Sequence, residues 1–227
     1  MSNKILVWDF PTRTFHWLLA ISFVGAFITG DSERYREIHL LLGYTMLALI
    51  GFRLIWGIVG TRYARFSSFW FKPSAVVDYV RSMFQGKPQH YVGHNPAGSV
   101  AIFLLLGLGL LSGLSGLALY NEIGGEWLEE LHELSANAML AVVIVHIVGV
   151  FFSSFLHREN LARAMVIGDK TGEPAQGIQN HHAWLGLLLL AGVVAMGYAY
   201  LYKNWAPPGL TQVSQQPVAT QKRQHDD

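Results

Sequence analysis

Cysteine is absent from all 227 residues. This excludes a disulfide, a cysteine-held iron–sulfur cluster and a haem attached through a CxxCH site. Charge is scarce too: Asp, Glu, Lys and Arg make up 14% of the chain, against roughly a quarter in an ordinary soluble domain. The net charge is only +1, and no nucleic-acid partner is expected. The opening stretch, MSNKILVWDFPTRTFHW, does not read as a cleaved signal, because Trp8, Asp9, Pro11 and Arg13 precede the first apolar run. What the chain has in quantity is hydrophobic residues, at 52%. Low charge and long apolar runs imply an integral membrane protein with the lipid bilayer as its surroundings.

Five apolar segments are legible, at about 15–30, 38–60, 98–120, 134–156 and 184–202. Each approaches the roughly 20 residues that a spanning helix requires, and all exceed the ten or so of a barrel strand. The expected fold is an all-α integral membrane protein. Lys4 and Arg13 precede the first segment. Arg62, Arg65, Lys72, Arg81 and Lys87 lie between the second and third, and Arg158, Arg163 and Lys170 between the fourth and fifth. The opposite connections are mixed (Asp31, Glu33, Arg34, Arg36, Glu37) or acidic (Glu122, Glu126, Glu129, Glu130, Glu133). The positive-inside rule therefore places the N-terminus in the cytoplasm and the C-terminus outside. The third segment opens with HNPAG, in which Asn95 can cap a helix and Pro96 fits its first turn. Its Gly107, Gly109, Gly113 and Gly116 serve either close helix packing or the approach of a flat ring, and the sequence does not separate the two. Residues 204–227 read as a polar, disordered external tail.

Histidines are the chemistry-bearing residues. In EELHELSANAMLAVVIVHIVGV, His132 and His146 are 14 residues apart. On a helix that is about 1400°, within roughly 40° of four turns, so both rings share one face about 21 Å apart. By depth, His39 matches His132 at the outer level and His16 matches His146 at the inner level. Two imidazoles per level suit the axial positions of a six-coordinate haem, whereas zinc needs about four ligands at each. Arg53 follows His39 by 14 residues and so lies on the same face at the inner level. It is read either as a partner for an inner haem propionate, with Arg62 or Tyr63 nearby, or as snorkelling towards the interface. His90, His94, His157, His181, His182 and His225 fall in loops, at interfaces or in the tail, and are read as ordinary polar contacts.

The stretches VWDFPTRTFHW, HLLLGY, FRLIWGIVGTRYARF, GHNPAG, HELSANAMLAVVIVHIVGV and HRENLARAMVIGDK together resemble the bacterial cytochrome b561 family, which includes the di-haem membrane subunits of nickel–iron hydrogenases. The resemblance covers about residues 7–170. It implies a four-helix bundle holding two b haems on His16, His39, His132 and His146, with residues 1–170 as the di-haem core. Residues 171–203 would add a cytoplasmic loop and a fifth C-terminal transmembrane helix. It also implies exchange with ubiquinone or menaquinone, residence in the bacterial inner membrane and a periplasmic redox partner such as a c-type cytochrome or a hydrogenase.

With no cysteine clusters and both irons saturated, the chain would act as an electron conduit that leaves the second half-reaction to its partner. His94 and Asn95 are candidates for the quinone site. The five glutamates between Asn121 and Glu133 are read as a steering surface or as a solvated loop. Two rivals stand beside the conduit. One is a superoxide:quinone oxidoreductase guided by Arg34 and Arg36, and the other is a haem-free transporter with a histidine proton relay.

Overall fold

The computed structural model describes residues 3–86 and 89–204. Lys87, His225 and the proposed tail after Asn204 lie outside the described residues. The elements run β1 (Asn3–Leu6), α1 (Phe10–Thr29), α2 (Arg36–Val59), α3 (Pro73–Phe84), α4 (Pro96–Tyr120), α5 (Glu126–His157), α6 (Leu161–Ile167), β2 (Asp169–Gly172) and α7 (Ala183–Asn204). Helix dominates, as expected, and one short strand pair accompanies it. β1 and β2 form an antiparallel pair with Lys4 opposite Thr171 and Leu6 opposite Asp169. Four residues are too few for their period-2 pattern to stand out in a sequence. Within the basic connection after α2 the chain forms the helix α3, and the acidic connection Glu126–Glu133 forms the first turns of α5.

Local chemistry sets the helix starts. Asn95 caps α4 by accepting from the Gly98 N–H at 2.7 Å, and Pro96 occupies the first turn. Asp9 caps α1 by accepting from the Thr12 N–H at 2.7 Å. Its other carboxylate oxygen accepts from Trp56 Nε1 (3.1 Å) and Thr61 Oγ1 (2.6 Å). Asp9 is only 1% exposed, so one buried carboxylate ties the start of α1 to the end of α2 and the turn after it. Arg13 donates to the Val166 carbonyl and Trp17 Nε1 to that of Met165 at 3.3 Å, which draws α6 against α1.

Backbone packing is closest between α1 and α2 and between α4 and α5; α2 also meets α4, and α7 lies on α1 and α2. The approach of α5 to α1 and α2 is far sparser. Two apolar clusters fill the middle of the bundle. One is built on Phe15, Leu49, Ile50 and Leu106, the other on Phe23, Ala26, Met46 and Met139. The outward faces are apolar as well: Ile28, Ile58, Val145 and Phe155 are each at least 70% exposed. Large exposed apolar bands are the signature of a lipid-facing surface. The stretch Glu33–Val59, Pro96–Tyr120, Glu126–His157 and Ala183–Lys203 are each long and apolar enough to cross a bilayer. α1 is not among these four, since Thr12, Arg13, Thr14 and His16 dilute its first turns.

Candidate cofactor site

The helix directions give the bundle two ends. At one lie the sheet and the starts of α1, α4 and α7; at the other lie the acidic first turns of α5. His39 enters from α2 and His132 from α5 at the acidic end, and their ring centres are 6.1 Å apart at an interplanar angle of 76°. Two imidazoles on opposite sides of one iron, each bonded at about 2 Å, have ring centres about 6 Å apart.

The orientation of each ring is also set. His39 Nδ1–H donates to the Ala26 carbonyl at 2.9 Å, and His132 Nδ1–H donates to the Ser112 carbonyl at 2.8 Å. A carbonyl only accepts, so these bonds put the proton on Nδ1 and leave the Nε2 lone pair for a metal. Such anchoring of ligand imidazoles orients them and raises their basicity. Gly116 completes the cradle, since a Cβ there would stand 2.9 Å from Cε1 of His132. The other glycines of α4 divide by environment. Gly109 faces Ile50 and Met139, and Gly113 faces Leu47, so both serve helix packing, while a Cβ on Gly107 would meet open space.

At the sheet end, His16 of α1 interacts electrostatically with His146 of α5. His16 Nδ1 is buried without a hydrogen-bond partner. Met139 lies midway between His132 and His146 in the sequence and is 2% exposed, so a packed layer separates the two levels. Arg53 is 3% exposed, its guanidinium over the Phe66 ring at 4.7 Å and near that of Phe69 at 5.9 Å. Its Nη1 is buried and unpartnered. A snorkelling arginine would have reached water, whereas this one stays inside with a donor unused. Arg62 is different: it is exposed and lies over the Tyr63 ring at 5.4 Å. Among the described residues, no three His, Cys, Asp or Glu side chains gather as a metal site. The facing imidazoles of His39 and His132, each oriented by a carbonyl, the apolar walls and the buried Arg53 with one unused donor fit haem.

His94, read from sequence as an ordinary contact, is built into the sheet end. Its ring lies between Trp8 (4.6 Å) and Phe69 (4.5 Å), and its buried Nδ1 has no partner. Burial, reinforced by the Arg53 and Lys170 cations, pushes the imidazole down to about 3. The unfolded chain keeps a histidine near 6.5, so from there down to about 3 it binds a proton that the folded chain refuses. Stability is whole above pH 6.5 and falls with pH below it, by up to about 1.4 kcal/mol per unit. His94→Gln is therefore expected to flatten the fall of Tm between pH 7 and pH 5. Equal slopes for variant and parent would contradict this. Trp8, Phe69, Asp9 and the two accepting carbonyls were not foreseen. Only the HNPAG motif pointed to this corner.

A model of the family described as prokaryotic cytochrome b561 matches residues 7–168. Three similar proteins bear the name probable Ni/Fe-hydrogenase B-type cytochrome subunit. The one from Rhizobium leguminosarum bv. viciae is 24% identical, over 74% of this chain and 89% of the relative. Those from Rhodobacter capsulatus and Azotobacter chroococcum mcd 1 are 23% and 26% identical, over 74% and 73% of this chain and 82% and 88% of the relatives. No solved structure matches.

Proposed function

Because this chain belongs to the prokaryotic cytochrome b561 family, and so is a multi-pass membrane cytochrome of electron transfer, we propose that it links membrane quinone to a redox protein outside the membrane through two b-type haems. The observation that carries this reading is the facing pair His39 and His132, 6.1 Å between ring centres, with each Nδ1–H given to a carbonyl. Bound haem supplies one-electron redox chemistry with no open coordination position for a substrate. His39 and His132 hold the outer haem, and His16 and His146 the inner one.

α1 is read as a further crossing beside α2, which makes five with α7. The basic end, with the sheet, faces the cytoplasm and the acidic end faces the periplasm of a bacterial inner membrane. Residues 1–170 form the di-haem core.

Arg53 would offer its unused Nη1 donor to an inner haem propionate, with exposed Arg62 contributing at the rim. A buried cation favours the reduced, less positive iron. Arg53→Leu is thus expected to lower the inner midpoint potential by about 60 mV or more, the one-electron equivalent of about 1.4 kcal/mol. A redox titration that leaves both potentials in place would contradict the pairing.

Quinone docks at the sheet end beside His94 and Asn95. The Asn95 Oδ1 is committed to its helix cap, which leaves its amide and the buried His94 Nδ1 to meet a quinone oxygen. At the acidic end, Glu126, Glu129, Glu130 and Glu133 lie on successive turns of α5 next to His132. They steer a basic partner, either a c-type cytochrome or, as the names of the relatives suggest, a hydrogenase. The test is the holoprotein in liposomes loaded with quinol, with ferricytochrome c outside. Reduction of the external cytochrome is expected, slowing several-fold as salt rises towards 0.5 M. Failure of quinol to reduce the haems would overturn the quinone reading. A salt-insensitive rate would overturn the steering. The superoxide alternative is less favoured, because exposed Arg34 and Arg36 are interleaved with Glu33 and Glu37.

A further inference from the structure

A groove of about 410 Å³ opens at the sheet end, where the end of α5 turns into α6 and meets the edge of β2. Four cations line it, Lys4, Arg158, Arg163 and Lys170, against two carboxylates, Glu159 and Asp169. Both carboxylates have cationic neighbours. Glu159 pairs with the buried Lys170 at 3.2 Å and lies 3.7 Å from His90. Asp169 interacts with Arg13. Lys4, Arg158 and Arg163 are exposed, and they leave the groove with an excess of positive charge that nothing described so far uses.

Arg158 carries a second sign. It sits in the left-handed region at φ 52° and ψ 33°, where α5 ends with the Arg158 N–H bonded to the Phe155 carbonyl. Glycine or asparagine takes this position at least cost, and the Cβ of an arginine there is mildly strained. Strain kept at a surface turn points to a use for the side chain. One turn back along the helix, Phe155 is 80% exposed and Phe151 67% exposed. Residues 151, 155 and 158 recur at i, i+4 and i+7, one stripe of the helix. An apolar shelf for acyl chains thus runs down α5 and ends at a cluster of cations. That is the outline of a phospholipid, with tails along the helix and phosphate at its foot.

We propose that this groove binds the headgroup phosphate of an anionic phospholipid in the leaflet at the sheet end, held by Lys4, Arg158 and Arg163 with its acyl chains on Phe151 and Phe155. Arginine suits the site because its fork meets two phosphate oxygens at once. Lys170 pairs with Glu159, which offsets the repulsion between that carboxylate and the phosphate. The site is independent of quinone and of the haem assignments, so either can fail without the other.

The test is thermal unfolding of the full chain in neutral detergent with added short-chain phosphatidylglycerol, phosphatidylcholine or inorganic phosphate. Phosphatidylglycerol at about a hundredfold excess over its Kd is expected to raise Tm by roughly 5 °C or more, with little effect from the other two. Arg158→Gly and the double variant Lys4→Gln/Arg163→Gln should each lose most of that shift. Arg158→Gly removes the left-handed strain, so its Tm without lipid should equal or exceed that of the parent; a lost lipid response is then not a folding defect. An equal shift from phosphatidylcholine would mean a non-selective lipid coat and would overturn the proposal. An equal shift from inorganic phosphate would mean a soluble anion site, with the same consequence. So would a full phosphatidylglycerol response in Arg158→Gly.

Discussion

His132→Ala is expected, on the proposed two-haem assignment, to strip one haem from the chain, leaving about half the haem per protein and a single reductive step in a redox titration. The effect should be near complete, because a haem held by one imidazole loses both an iron bond and a wall of its site. The His132 ring is fixed by the Ser112 carbonyl at 2.8 Å and seated against Gly116, and no other histidine lies at the acidic end near His39 to take its place among the described residues. The inner level should persist. His16 and His146 lie beyond the packed layer of Met139, Phe23 and Met46, which does not depend on His132. His146→Ala should give the mirror result, loss of the other step. Loss of both haems in either variant would mean that the levels are not independent. Retention of both would mean that the ligands are assigned wrongly.

Asp9→Ala is expected to destabilise the protein by roughly 3–5 kcal/mol, one of the largest losses available to a single substitution outside the histidines. The carboxylate is buried and accepts from Thr12, Trp56 and Thr61. Alanine would leave the Trp56 indole N–H and the Thr61 hydroxyl without an acceptor and remove the cap of α1. Arg53 would also lose the nearby anion with which it interacts. Asp9→Asn keeps one acceptor oxygen but turns an NH2 group towards other donors, so an intermediate loss is expected. Urea or thermal unfolding at pH 7 reads the series. Parent-like stability in Asp9→Ala would show that the three bonds are replaceable by water, against the burial of the site.

The approach of His39 to His132 was legible because a 14-residue interval on an apolar helix admits few alternatives: periodicity alone puts His132 and His146 on one face. Depth then followed from segment direction, which brought His39 to the level of His132. What stayed hidden depends on contacts between residues far apart in the chain. Only the fold delivers Trp56 and Thr61 to the second carboxylate oxygen of Asp9. Nothing in a list of residues tells which backbone carbonyl will receive an imidazole N–H, since Ala26 and Ser112 offer no distinctive side chain for that purpose. The strands escaped notice at four residues each, and α3 did so because its 12 residues, carrying Asp78 and Arg81, are too short and too charged for a span and sit within a basic connection. Arg53 was legible as to depth but not as to surroundings; its burial against Phe66 and Phe69 came from the turn after α2. The burial of His94 was hidden for the same reason, its stacking partners lying 86 and 25 residues away in the chain.

The central claim is that two pairs of imidazoles each grip one haem within a single chain. Its most direct test is the protohaem content of the purified protein, by pyridine haemochrome against quantitative amino-acid analysis, with low-temperature electron paramagnetic resonance of the oxidised form. Two haems per chain, both low-spin with two axial nitrogens, are the expected result. One haem per chain, a high-spin centre of full occupancy, or a colourless protein would contradict it.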